Sequence, residues 1–294
     1  MKIDRVIVST NDNQEYQSYW PYFAEICTHF EVAPILIWVS NSSQPYPFPS
    51  QYGSIIQVPQ TPILSSSYQA TIVRFLAFAS FSDISSLSDI DILFTNKKYF
   101  ETFEKYANTD LVVWSAQDPN IYLYEQNVYK DKLRAPQIIV QGFTGPGEPL
   151  RQALLSNGIH VTKTTFWSED IEKQILNMPN LNNSYPEAFE FKLGSDQLWI
   201  SQVLHHHMMI TETTNDWKIK QLERVGIENG VFGGPLWWPD WENMLKIRKD
   251  VENSEKAIDE YSLLSYPALH WYRDSTKIAT KKLVKAILLQ EKLR

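Results

Sequence analysis

Cysteine is almost missing from this chain of 294 residues, which contains only Cys27. A single thiol excludes an internal disulfide and suits a reducing compartment, so we expect a cytoplasmic protein. Cys27 lies in a run typical of the apolar face of a helix, and we expect it to be buried. No apolar run approaches the roughly 18 residues needed to span a bilayer. Residues 1–8 have a strand pattern and do not resemble a signal peptide.

Positive charge is also scarce, with 27 Lys and Arg against 34 Asp and Glu and a net charge of −7. This balance argues against nucleic-acid binding, which needs a basic surface. Residues 275–294 are the exception, because they hold six basic residues and one acidic residue, a net of +5 that leaves −12 elsewhere. Their spacing predicts a basic amphipathic helix. Such a helix can lie on an anionic membrane or dock on the acidic body, and the second arrangement is favoured.

Apolar strands alternate with helices in the first 115 residues. Strands are predicted at Arg5–Thr10, 34–40, Ser54–Val58 and Leu111–Ser115, and helices at 15–30 and 66–81. Pro21 marks a break or a late first turn in the first of these helices. Continuous apolar strands between helices predict an α/β fold, with a Rossmann-type, mostly parallel central sheet flanked by helices. The second half is less regular, with predicted helices at 150–155, 168–177 (Ser168 as N-cap) and 196–206, and loops at 142–149 and 226–240.

Asp89-Ile90-Asp91 is the most informative motif of the chain. If this segment is extended, the two carboxylates point to the same face. Two like charges that close repel each other unless a cation lies between them. A hard ion with oxygen ligands, Mg²⁺ or Mn²⁺, fits this role and normally also binds phosphate. The motif therefore predicts a metal–diphosphate site, and a solvated turn is the alternative.

Arg74 is the one charged residue within 70–81, an almost wholly apolar helical run. A buried arginine needs an anionic partner, because an unpaired buried charge is expensive. Asp89, Asp91 and a bound diphosphate are the candidates, and an ion pair with another acid is the structural alternative. The polar residues that follow predicted strands, at 9–13 and 40–43, belong to the same edge of the sheet, where ligands of such folds bind.

The order of an N-terminal apolar strand, a helix carrying Arg74 and then the D-x-D motif resembles the GT-A class of nucleotide-sugar-dependent glycosyltransferases. It is most similar to small glycosyltransferase domains of large algal viruses and some bacteria. The clear resemblance covers about residues 3–115. In that class an apolar strand precedes D-x-D, whereas residues 82–88 are polar here. The resemblance implies the following contacts: Asp91 to the metal, Asp89 to the metal through water or to the ribose, and Ser9, Thr10 and Asn11 to the nucleotide.

Two later fragments fit the same class. Asp196-Gln197 begins a predicted helix, and in several GT-A families such an Asp binds the donor sugar or acts as a base; an N-cap is the alternative for Asp196. Gln197 could hydrogen-bond a sugar hydroxyl or an active-site carboxylate. His270 lies where such proteins often have a third metal ligand, and the resemblance implies that Arg273 and Lys277 contact the diphosphate. A surface histidine is the alternative.

These features predict an enzyme that uses Mn²⁺ or Mg²⁺ to transfer a sugar from a UDP- or GDP-type donor to a hydroxyl of a glycan or glycoconjugate. An inverting reaction needs a carboxylate base, with Asp196 first and Asp118 and Glu190 next; in a retaining reaction Asp196 would hold the sugar. Residues 1–274 are expected to form one domain, divided into a nucleotide half (1–115) and a sugar and acceptor half (116–274). The alternatives are a sugar-nucleotide nucleotidyltransferase, a non-catalytic carbohydrate-binding protein, which the 13% aromatic content mildly favours, and a glycoside hydrolase.

Overall fold

The computed structural model describes residues 1–101, 103–106, 110–115, 140–177, 199–200, 203–204, 219–223, 227–228, 231–232, 268–270 and 277–290. The strands are β1 (Arg5–Thr10), β2 (Ala33–Val39), β3 (Ser54–Val58), β4 (Ser85–Leu87), β5 (Ile92–Phe94), β6 (Leu111–Ser115), β7 (Val140–Gly145), β8 (Ile219–Glu223), β9 (Ile227–Glu228), β10 (Val231–Phe232) and β11 (Ala268–His270). The helices are α1 (Gln14–Gln17), α2 (Trp20–His29), α3 (Ser66–Ser80), α4 (Lys98–Glu101), α5 (Glu148–Ser156), α6 (Glu169–Leu176) and α7 (Lys277–Gln290), and a 3₁₀ turn spans Glu104–Tyr106.

Seven strands form the central sheet in the order β3-β2-β1-β4-β7-β6-β8. The first four strands of this order are mutually parallel. β7 is antiparallel to both of its neighbours, and β6 and β8 are parallel to each other. The predicted α/β fold with a mostly parallel sheet is confirmed. The chain proceeds from β1 to β2 and β3 on one side and returns to β4 on the other, so the strand order reverses between β1 and β4.

Both faces of the sheet are covered, which explains why its strands are continuous apolar runs. Val6 and Val8 of β1 pack into one core cluster with α2, β5 and α7. Ile7 packs into a second cluster on the opposite face with α3, α5 and α6. Helical residues Trp199, Ile200, Val203 and Leu204 join this second cluster. Successive side chains of β1 thus point to opposite faces of the sheet, and each core receives every second residue.

The basic C-terminal helix α7 docks on the body of the protein. Leu283, Val284 and Ile287 are buried in the same cluster as α2, and α7 packs against that helix. Lys281 and Lys285 are exposed on the other side. The apolar face that would enter a membrane is therefore used inside the protein. None of the helices in the described parts of the chain has both the length and the apolar character to cross a bilayer.

Several predicted elements are confirmed and one is wrong. Cys27 is fully buried, and burial raises the pKa of its thiol. Ser168 caps α6 by accepting a hydrogen bond from the Ile171 amide. The predicted helix at 15–30, with a break or a late first turn at Pro21, consists of two helices, α1 and α2. Pro21 lies in the first turn of α2, where its missing N–H leaves no hydrogen bond unmade.

The prediction of a loop at 142–149 is wrong, because the first part of this segment continues β7 and its last part begins α5. Its glycines mark close backbone packing. Gly145 has φ +151°, and a Cβ there would lie 2.8 Å from the Asp110 carbonyl oxygen. A Cβ on Gly147 would collide with the Phe78 carbonyl oxygen and lie 2.5 Å from that of Phe81. Both glycines are therefore needed by packing and not by a flexible turn.

This packing predicts that Gly147→Ala lowers the free energy of unfolding by about 3 kcal/mol, because fixed backbone carbonyls must move. Gly158→Ala is the matched control. Gly158 has φ +76°, but a Cβ at this position would meet no atom within 4 Å, so only backbone strain of about 1 kcal/mol is expected there. Urea unfolding measures both. Equal losses in the two variants would contradict the close approach at Gly147.

Candidate functional site

The end of β1 and the end of β4 lie side by side at the carboxyl edge of the sheet. β4 is parallel to β1, and the Ser88 amide donates to the Ile7 carbonyl at 3.1 Å just beyond the β4 strand. Residues 11–13 and 88–91 therefore emerge at the same edge, where the strand order reverses. Ligands of open α/β sheets bind in the crevice formed at such a reversal.

The D-x-D motif forms a tight turn rather than the extended segment considered from the sequence. The Ile92 amide donates to the Asp89 carbonyl at 3.1 Å, and Ile90 and Asp91 are the turn residues. The chain turns here because β4 belongs to the central sheet whereas β5, which begins at Ile92, belongs to a separate two-stranded sheet. Asp91 is only 3% exposed, while the Asp89 side chain is 36% exposed. The two carboxylates thus differ sharply in their access to water.

Arg74 of α3 binds this turn. It is 8% exposed, forms an ion pair with the Asp89 carboxylate through Nη1, and donates from the same atom to the Ser88 carbonyl at 3.3 Å. Its guanidinium carbon lies 5.3 Å from the centre of the Phe75 ring. The partner that the sequence required for this arginine is therefore Asp89. The Arg74 side chain thus holds both the backbone before the motif, at Ser88, and the first acid of the motif, Asp89.

His270 is brought to the same turn by strand pairing. β11 is antiparallel to β5, and the register places the His270 backbone directly opposite Ile92, the residue after Asp91. For β11 and for the first residues of α7, including Lys277, the structure describes the backbone alone. Strand pairing thus brings two segments that are distant in sequence to the same turn. The remaining predicted site residues lie outside the described residues: Asp118, Glu190, Asp196, Gln197 and Arg273.

Ser9 and Asn11, two of the three predicted nucleotide contacts, join β1 to α3. The Ser9 hydroxyl donates to the Ala70 carbonyl at 2.5 Å, and Thr10 is 4% exposed. The Asn11 amide nitrogen donates to the hydroxyls of Ser66 at 3.2 Å and Ser67 at 2.9 Å. Its amide oxygen accepts from the Asn13 backbone at 3.1 Å. The loop after β1 is therefore preformed by contacts within the protein.

Asp12 is a residue of this edge that no sequence pattern singled out. Its two carboxylate oxygens accept from Trp38 Nε1 at 2.9 Å and from the Ser40 hydroxyl at 3.0 Å. The Ser40 oxygen in turn accepts from the Ser42 amide. Asp12 therefore ties the loop after β1 to the loop after β2. An acidic residue two positions after the first strand is the signal from which Asp12 could have been identified. Its partners could not, because they lie 26 and 28 positions away in the sequence.

The donors at the edge fit a hard divalent ion, because carboxylate oxygens are what Mg²⁺ and Mn²⁺ prefer. Asp89 and Asp91 supply two such groups on one turn. Across the side chains that the structure describes, no cluster of three His, Cys, Asp or Glu residues has the geometry of a metal site.

No protein-family model matches the sequence, and a search of curated proteins finds no significant relative. Several glycosyltransferases are among the solved structures with a similar course of the chain. Galactosyltransferase LgtC, solved with donor and acceptor sugar analogues, is 12% identical with a TM-score of 0.45, and the match covers 96% of this chain and 95% of LgtC. The bifunctional glycosyltransferase WbbM is 12% identical with a TM-score of 0.45, over 97% of this chain and 50% of WbbM. GlyE of Streptococcus pneumoniae TIGR4 is 10% identical with a TM-score of 0.37, over 100% of this chain and 64% of GlyE.

Proposed function

We propose that this protein is a glycosyltransferase that transfers a sugar from a nucleoside-diphosphate donor to a hydroxyl acceptor. The observation that carries the proposal is the position of the Asp89–Asp91 turn. It stands at the carboxyl edge of the sheet beside β1, where the strand order reverses, and it presents one buried and one half-exposed carboxylate. A crevice of this kind binds nucleotides in open α/β sheets.

In this proposal Asp91 and Asp89 hold Mn²⁺ or Mg²⁺, and His270 is the third ligand. The support for His270 is the pairing of β11 with β5, which sets its backbone opposite the residue after Asp91. Arg74 keeps Asp89 in the turn by the ion pair and by its hydrogen bond to the Ser88 carbonyl. When bound, the ion would supply positive charge that neutralises the charge developing on the departing nucleoside diphosphate.

The nucleotide would lie against the loop after β1, which the Asn11 contacts hold in one conformation before any ligand arrives. A preformed loop lowers the entropy cost of binding. We assign Arg273 and Lys277 to the diphosphate, and Asp196 and Gln197 to the donor sugar, on the resemblance of the sequence to the GT-A class. The acceptor in this proposal is a glycan or glycoconjugate, and the donor carries UDP or GDP.

A thermal-shift screen with nucleoside diphosphates, with and without Mn²⁺, tests the proposal. A ligand at one hundred times its Kd stabilises the folded state by about 2.7 kcal/mol. For a chain of this size we therefore expect Tm to rise by roughly 5 °C or more. The rise should require UDP or GDP together with Mn²⁺, and it should be lost in His270→Ala.

His160→Ala is the control for that histidine, because His160 is exposed and lies in the segment between α5 and α6. A wild-type protein that responds to no nucleoside diphosphate would contradict the proposed transferase. A response only to nucleoside triphosphates would favour a nucleotidyltransferase. A metal-dependent shift that survives in His270→Ala would remove His270 from the ligand set and leave the other assignments in place.

A further inference from the structure

The loop between β3 and α3, residues 59–65, lies on the surface but is anchored from beneath by a buried side chain. Gln69 of α3 is fully buried. Its amide nitrogen donates to the Pro59 carbonyl at 2.7 Å, and its amide oxygen accepts from the Thr61 backbone at 3.0 Å. Thr61 and Leu64 are each 4% exposed, although Ile63 between them is 58% exposed. The two ends of this short segment are therefore fixed while its tip faces solvent.

A buried carboxylate from a distant helix provides the second anchor. Glu172 of α6 is 1% exposed. One of its oxygens, Oε1, accepts both from the Thr61 hydroxyl at 2.7 Å and from the Leu64 amide at 2.9 Å. The loop is thus bound to α6, a helix more than a hundred residues later in the sequence. A single oxygen holds two donors that lie three residues apart.

A carboxylate at this position is costly, because the effective penalty for burying an ion is several kcal/mol. The cluster around it is apolar and includes Ile171, Ile175 and Leu64. A leucine or methionine would pack in such surroundings without that penalty. What those residues lack is an acceptor that can fix the Thr61 hydroxyl and the Leu64 amide together. The Glu172 carboxylate is therefore explained by the conformation that it imposes on the 59–65 loop and not by a gain in folding stability.

The anchored loop leads directly into the wall of the candidate site. Ser65 caps α3, and the next two residues, Ser66 and Ser67, accept the hydrogen bonds from Asn11. Two turns further along the same helix, Arg74 binds Asp89. The start of α3 thus sets the position of the loop after β1 and of the arginine that holds the D-x-D turn. Any shift of the 59–65 loop would therefore move both the loop after β1 and Arg74.

We propose that Glu172 is a positioning residue, which acts through Thr61 and Leu64 to fix the start of α3 and so the geometry of the β1–β4 edge. The effect on nucleotide affinity rests on the proposed function, whereas the effect on the loop does not. Within the part of the chain that the structure describes, the Glu172 carboxylate accepts its two hydrogen bonds from the 59–65 loop, so its proposed influence on ligand binding is indirect.

Hydrogen–deuterium exchange of Glu172→Met and Glu172→Gln tests the positioning itself. Methionine fills the space but accepts no hydrogen bond, so the amides of residues 64–68 should exchange about tenfold faster, as expected when an ordinary hydrogen bond is lost. Glutamine keeps an oxygen that can accept both bonds, so its exchange should match the wild type. Glu169→Gln, an exposed change on the same helix, is the control and should alter nothing.

The affinity for UDP or GDP with Mn²⁺ provides the second measurement. Glu172→Met should weaken nucleotide binding by about tenfold while Glu172→Gln restores it, with each affinity measured well below the Tm of the variant. A change in packing alone would lower Tm and spare the affinity. Unchanged exchange at 64–68 in Glu172→Met would overturn the positioning role. Faster exchange with unchanged affinity would overturn its link to the site.

The proposal can still be tested if the wild-type protein binds no nucleotide or if Glu172→Met does not fold. A wild-type protein that binds no nucleotide refutes the proposed function, and the exchange measurement then still decides whether Glu172 holds the loop. If Glu172→Met fails to fold, Thr61→Val removes the hydroxyl that lies 2.7 Å from Glu172 Oε1 and 3.3 Å from the Gln69 amide oxygen, and it should accelerate exchange at the same amides. Unchanged exchange in that variant would overturn the proposal.

Discussion

Replacing Asp91 by asparagine is expected to lower the rate of nucleotide release from a sugar nucleotide by about 10²–10³-fold, the usual cost of removing one electrostatic contact to developing charge. Asparagine has almost the same shape as aspartate and keeps a carbonyl oxygen, but it carries no charge. Asp91 is 3% exposed on a turn at the reversal of strand order. A neutral side chain there would leave the proposed metal ion with one carboxylate fewer.

Nucleotide release at saturating Mn²⁺ measures this effect, and circular dichroism checks that the variant is folded. Asp83→Asn is the matched control, because Asp83 is a half-buried acid paired with Arg5 at the opposite edge of the sheet. It should lose some stability and keep its rate. Undiminished nucleotide release in Asp91→Asn would refute the metal assignment of this residue. A slow Asp83→Asn enzyme would show that neutralising an acid at the opposite edge of the sheet has the same effect.

The first three strands, α3 and β6 could be predicted because their signals are local. Each strand is an apolar run that ends in polar residues, and Ser65 and the apolar pattern after it delimit α3. Arg74 could also be identified locally, since a lone charge in an apolar helix demands a partner. That its partner is Asp89 follows only from the packing of α3 against β4.

β4 could not be predicted, because Ser85 and Ser86 are polar and yet completely buried. The Ser86 hydroxyl is hydrogen-bonded to the Thr144 hydroxyl at 2.9 Å. A buried hydroxyl is tolerated when it has such a partner, but the partner lies on β7, far along the sequence. β7 was not predicted either, because its glycines are typical of a loop. Both strands depend on contacts that no local pattern reports.

The candidate site shows the same division between local and distant information. The D-x-D acids could be read from the sequence, but their tight turn arises from the departure of β5 toward β11. Ser9 and Asn11 were expected at the edge and lie there, while their hydrogen bonds to α3 could not be anticipated. A strand pattern predicts where a side chain emerges. It does not predict which distant helix will bind that side chain.

Replacing Arg74 by methionine is expected to raise the Mn²⁺ concentration needed for half-maximal activity by about 10–100-fold, as for other residues that orient a metal ligand. Methionine preserves the aliphatic packing of α3 but donates no hydrogen bond to Asp89 or to the Ser88 carbonyl. The Asp89 side chain is 36% exposed, so solvent screens the broken pair. We therefore expect the free energy of unfolding to fall by only about 1–2 kcal/mol.

Arg151→Met separates a role at the site from the general loss of an ion pair. Arg151 pairs with Glu148 on α5, and the Glu148 side chain is 36% exposed, as that of Asp89 is. Its loss should lower stability to a similar extent without changing the Mn²⁺ requirement. An Arg74→Met enzyme with a normal Mn²⁺ requirement would exclude Arg74 from the metal site, even if its stability falls. A raised requirement in Arg74→Met alone would mean that α3 controls metal binding by holding Asp89 in its turn.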